Sequence, residues 1–118
     1  MSDILVIDRL EPVPKQSVLC LKGPMTTQTV SSFHSAIRNE SSPIVIVDLS
    51  DVPYVDSAGL GSLVRAYITC HKFGQQVVLT GVNSRILKLF EISRVDSIFL
   101  MFPPMEDAIA AFLAPAQA

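Results

Sequence analysis

Charge is scarce in this 118-residue chain. Only 17% of its residues are charged, and nine basic against eleven acidic side chains leave a formal net charge of −2. No basic run exceeds a single residue, which argues against nucleic-acid binding, because that rests on clustered Lys and Arg against phosphates. Cysteine is scarce too. Cys20 and Cys70 lie in apolar segments and form no C-x-x-C pair, so they read as buried free thiols in a reducing cytoplasm. Long hydrophobic runs are missing as well. "MSDILVIDRL" has no basic region ahead of its apolar stretch, so it does not read as a signal peptide. "IFLMF" stops at Pro103-Pro104, far short of a membrane span.

What is present is hydrophobic: 49% of the chain, enough for one real core but not for two. The expectation is a single cytoplasmic domain over residues 1–118, with its core at 4–113 and a frayed tail at 114–118, and with no direct insertion into a membrane. "ILVI" (Ile4 to Ile7) and "SVLCL" (Ser17 to Leu21) read as antiparallel strands joined by the proline-bearing loop "EPVPKQ". Thr26 or Thr27 is expected to cap a helix carrying Val30, Phe33 and Ile37 at i, i+3 and i+7. "IVIVDL" (Ile44 to Leu49) is the unbroken β-branched run of a strand covered on both faces.

Leu60, Leu63, Val64, Tyr67, Ile68 and His71 then mark the clearest helix, with Lys72 and Gly74 as stop signals. "QVVLTG" completes a right-handed βαβ unit. A third helix capped by Asn83 or Ser84 carries Ile86, Leu89 and Phe90, and a short strand follows at Ser97 to Met101. The last helix opens after Pro103-Pro104, with Ala108, Ile109, Phe112 and Leu113 as its buried stripe. The order β-β-α-β-α-β-α-β-α predicts an α/β fold, a mixed sheet of four to five strands with a parallel centre and four packed helices.

The stretch "YVDSAGLGSL" (54–63) is where chemistry would sit. "GLGSLV" begins like a dinucleotide fingerprint, but Val64 holds the third glycine position, and Thr80 and Gly81 stand where a ribose-binding acid is needed. No Lys-Ser or Lys-Thr follows the glycines, so it is no P-loop. Ser57 lacks the glycine two positions before it that an esterase elbow requires. As bases the chain offers only His34, on another helix, and His71, roughly 20 Å along the same one. Asp48, Asp51 and Asp56 crowd one strand-end region, yet acids there more often serve as turn and cap residues than as metal ligands. No catalytic, metal or cofactor site is expected. Ser57 or Asp56 suits a helix N-cap. Gly59 and Gly61 in a first helical turn break a local rule twice, as a functional surface often does.

"IVIVDLSDVPYVDSAGLGSLVRAY" resembles the signature of the STAS domain, found in sulphate transporters and anti-sigma factor antagonists, and it is most similar to the stand-alone bacterial antagonists. The likeness runs from Val18 to Phe112 and takes in "FGQQVVLTGVNSRILKLF". It implies the STAS fold and a non-enzymatic regulator. Its unphosphorylated form would bind an anti-sigma factor that is also a serine kinase, and so release a sigma factor. Phosphorylation of Ser57 would switch binding off, and a serine phosphatase would restore it. The docking face carried over is Thr26, Tyr54, Asp56, Ser57, Ala58, Gly59, Leu60 and Gly61. Val52, Tyr54 and Leu60 are expected as exposed apolar residues that serve a partner or a homodimer, and Asp51 and Asp48 as acids near the phosphate. Two departures are visible: Met25 and Thr26 stand where the family commonly has an acid, and "ISRVDSIF" lacks a Gly-Leu pair. The alternatives are a STAS subunit of another assembly (a lipid transporter accessory protein or a signalling scaffold) without phospho-switching, and a nucleotide-binding or hydrolytic domain.

Overall fold

Alternating apolar residues in three consecutive parallel strands give the sheet two dry faces, and helices cover both. The computed structural model describes residues 4–113. Its strands β1 (Val6–Leu10), β2 (Gln16–Lys22), β3 (Ile44–Asp51), β4 (Gln76–Thr80) and β5 (Leu100–Phe102) lie side by side in chain order. β1 is antiparallel to β2, and every other neighbour is parallel. The helices are α1 (Val30–Arg38), α2 (Ser57–Lys72), α3 (Ser84–Ile92) and α4 (Met105–Ala111). This is the mixed α/β architecture expected.

Register makes the two faces explicit. Val47 stands opposite Leu19 and Leu79, and this row packs under Phe33 and Ile37 of α1, Leu63 and Ala66 of α2, and Ile86 and Phe90 of α3. One residue earlier, Ile46 stands opposite Val18 and Val78, and that row faces Ala108 of α4. The period of two thus divides three helices from one.

Several boundaries differ from the sequence reading. β1 lies at 6–10 rather than 4–7, because its antiparallel register sets Val6 against Lys22 and Leu10 against Val18. Neither Thr26 nor Thr27 caps α1. The helix starts at Val30, after a turn in which Thr29 Oγ1 donates to the Pro24 carbonyl (2.8 Å) and accepts from the Thr26 amide (2.9 Å). β5 begins at Leu100, not Ser97, because Arg94 in the left-handed region (φ 61) and a Val95-to-Phe90 backbone bond close α3 and carry the chain through a further turn. Leu113 is exposed and does not join the α4 stripe, since the helix ends at Ala111. Cys70 is buried as expected, whereas Cys20 is only half-buried. Burial pushes both thiols up, helped by Asp48 at Cys20 and by Glu40 at Cys70. The proposed tail at 114–118 lies outside the described residues. Among the described residues, no helix is long and apolar enough to cross a membrane.

Candidate functional site

The loop from β3 into α2 is zipped to the loop leaving β2. Met25 and Val55 form an isolated parallel bridge, in which the Met25 amide donates to the Tyr54 carbonyl (3.2 Å) and the Asp56 amide to the Met25 carbonyl (3.1 Å). Asp56, not Ser57, is the N-cap of α2. Its Oδ1 accepts from the Gly59 amide (2.9 Å) and its Oδ2 from the Thr27 amide (3.2 Å). One carboxylate therefore closes the helix end and ties it to the neighbouring loop. Ser57 is left as the first helical residue, exposed on the outer side.

The two glycines have opposite surroundings. A Cβ on Gly59 would collide with the Met25 carbonyl oxygen and crowd the Val55 side chain, so only glycine lets the two loops meet there. A Cβ on Gly61 would meet nothing within 4 Å. Gly59 is buried and Gly61 exposed, while Ala58 and Leu60 are half-buried. The bare face of Gly59 is thus filled by the chain's own carbonyl, which leaves no cradle for a phosphate.

Tyr54 is half-buried beneath the Arg85 guanidinium, 5.3 Å from its ring centroid. Asn83 caps α3 through the Ile86 amide (2.8 Å) and donates from Nδ2 to the Val52 carbonyl (3.1 Å), which pins the loop before Tyr54. Thr26 is half-buried, and its Oγ1 accepts from the Gln28 amide (3.3 Å). The structure therefore brings Thr26, Tyr54, Asp56 and Ser57 together across two hydrogen-bonded loops, with the "AGLG" turn beside them.

Two expectations fail here. Val52 is buried at 1% exposure, packed into the core and offering nothing to a partner. Asp48 is no neighbour of Ser57. It sits on the α4 face of the sheet, where its Oδ1 accepts from Ser50 Oγ (2.7 Å) and Thr80 Oγ1 (2.8 Å). Asp51 is exposed at the end of β3. Among the described residues, no group of three or more His, Cys, Asp or Glu could hold a metal ion.

Sequence reasoning missed Thr27, Asn83 and Arg85 as parts of this face, because each joins it through a contact distant in sequence. It also missed the pairing of His34 Nε2 with Ser62 Oγ (2.8 Å). That pair does not activate a nucleophile. Ser62 is buried and donates its proton to the Ala58 carbonyl (2.9 Å), so the imidazole is the donor. His71 stacks on Tyr67. Neither histidine serves Ser57.

Known proteins share this architecture. The family described as "STAS domain" matches residues 6–108. An anti-sigma-B factor antagonist of Listeria monocytogenes is 36% identical over 55 residues, which is 47% of this chain and 48% of that protein. The match thus spans about half the length of that relative. The crystal structure of an anti-sigma factor antagonist from Mycobacterium paratuberculosis superposes with a TM-score of 0.79 at 23% identity, covering 91% of this chain and 92% of that one. The Bacillus cell fate determinant SpoIIAA in its phosphorylated form gives 0.68 at 16% identity, over 92% of this chain and 100% of that one. At such identities the structures share the fold.

Proposed function

The chain belongs to the STAS domain family, and on that footing we propose that it is an anti-sigma factor antagonist, a single-domain cytoplasmic binding protein rather than an enzyme. Its unphosphorylated form binds an anti-sigma factor with serine kinase activity and frees the sigma factor. Phosphorylation of Ser57 ends that binding, and a serine phosphatase restores it. The observation that carries this reading is the placement of Ser57. Ser57 is an exposed residue in a turn that Asp56 and Gly59 hold fast against the neighbouring loop. The name of the Listeria relative and the phosphorylated state of the Bacillus neighbour support it.

A phosphoryl group on Ser57 adds about −1.5 to −2 charges beside Asp56, whose carboxylate is already committed to two amides. A like charge at about 6 Å costs roughly 0.7 kcal/mol in water and about 3 kcal/mol at an effective dielectric of 20. Docking a partner that excludes water raises this repulsion by about 2 kcal/mol, so the phosphate weakens binding by roughly tenfold or more. The N-terminus of α2 favours an anion, so the phosphorylated chain keeps its fold. The switch acts on binding, not on structure.

The test is affinity capture from the host with wild-type, Ser57→Ala and Ser57→Asp baits. A kinase partner should be retained by the first two and lost by the third. Equal capture by all three would overturn the switch.

A further inference from the structure

We propose that the cleft between α1 and the C-terminal half of α2 binds a small organic anion, a carboxylate or phosphate monoester on an apolar body. The cleft encloses about 620 Å³, within the range of about 300–1,000 Å³ usual for ligand sites. Its floor is apolar: Ile37, Ala66 and Cys70 are buried, and Phe73 stands at the rim, 76% exposed. Burial pushes the Cys70 thiol up, so the floor carries no thiolate charge.

Two guanidinium groups flank this floor from facing helices, Arg38 on α1 and Arg65 on α2. Both are exposed, and among the described residues every ion pair belongs to Arg9, so neither has a carboxylate partner. Among the described residues, Arg38 makes only a long contact of 3.5 Å to Ser35 Oγ. Among the described residues, Glu40 is the one acid in the lining, and it is already answered: its side chain is buried and accepts from Arg9 Nε at 2.6 Å. The Gln75 amide is likewise committed, to the carbonyls of Glu40 and Ser42.

The net field at the mouth is therefore positive. A planar guanidinium fork matches a carboxylate or phosphate, and the apolar floor takes the body of the same molecule. A cationic amphiphile would meet two like charges, and a neutral one would gain nothing from either arginine.

The site is separate from Ser57 along the same helix. Arg65 lies eight residues and Phe73 sixteen residues beyond it, about 12 and 24 Å at 1.5 Å per residue. His34 lines the cleft and reaches back toward Ser57, since its bond to Ser62 continues to the Ala58 carbonyl in the first turn of α2.

Decanoate is a suitable probe, titrated into the full chain at low salt and followed by amide chemical shifts and calorimetry. Saturable binding is expected, with shifts centred on Arg38, Ala66, Thr69 and Gln75. The Arg38→Gln/Arg65→Gln double variant should bind at least about tenfold more weakly, and a Lys88→Gln control on α3 should bind as wild type. Thr69→Trp, which fills the mouth while keeping both guanidinium charges, should abolish binding. Its loss remains interpretable if the double variant proves poorly folded. Decanol binding as tightly as decanoate, unchanged affinity in both cleft variants, or shifts confined to the Ser57 face would each overturn the proposal. Ser57→Asp should bind decanoate normally, so failure of the switch and failure of this site are separable.

Discussion

On the inward side of the first turn of α2, Gly59 and Asp56 are committed to Met25 and Thr27. On the outward side, Ser57 is exposed and Gly61 opens on empty space. The four residues alternate within six positions of sequence, yet they answer to different demands. The inward pair lets two loops approach closely enough to hydrogen-bond, which is a requirement of the fold. Among the described residues the outward pair meets no partner, so its small size and its hydroxyl are available to something outside. A glycine in this motif consequently has two meanings, decided by what its missing Cβ would have touched.

Substitutions on the inward side should give the largest losses of stability. Gly59→Ala forces a methyl group against the Met25 carbonyl, which cannot move without breaking the bridge between the loops. A loss of about 3 kcal/mol is expected, at the upper end for overpacking, read as the midpoint of thermal or urea unfolding. A variant as stable as wild type would break the contrast at its strongest point. Asp56→Ala removes the cap and the bond to the Thr27 amide together. Its expected loss is about 2 kcal/mol, with an unchanged denaturant slope. Asp56→Asn, which keeps one acceptor, should recover part of it.

Much of the frame around this turn was legible in the sequence. β3, α2 and β4 came within two residues of their observed ends, because β-branched runs and a long helical stripe are local signals. The side of the sheet on which Asp48 lies was also there to be read, since it shares the parity of Ile46 rather than of Val47. Gly59 was not legible as an inward residue. Its contact lies 34 positions away at Met25, and nothing in "AGLG" distinguishes its first glycine from its second. Val52 looked like an exposed loop residue, but Asn83 from a later helix draws that loop onto the core. At Thr26–Thr29 the sequence does not separate turn from helix, because threonine suits both, and only the Thr29 bond to Pro24 distinguishes them.

The outward side should respond in the opposite sense. Gly61→Ala places a methyl group in open space inside a helix, so the ordinary helix propensities apply undisturbed. A gain of about 1 kcal/mol is expected, seen as a melting temperature raised by about 4 °C. If this turn is the docking face, the same methyl group should weaken capture of the partner. A variant that melts higher and binds less sharpens the comparison, whereas one that binds as wild type removes Gly61 from the face.

Ser57→Asp should change stability least. A carboxylate at the first helical position gains about 0.3–1 kcal/mol from the helix dipole. The adjacent charge of Asp56, fixed by its two amide bonds, opposes it by a similar amount. The two effects offset, and unfolding midpoints should agree with wild type to within about 0.5 kcal/mol, while the amide spectrum changes only around the β2–α1 and β3–α2 loops. Cancellation of this kind lets the modification act on binding while the fold stays unchanged. Widespread spectral change in Ser57→Asp would mean that the outer side of the turn supports the fold after all, and the distinction between the two sides would fall.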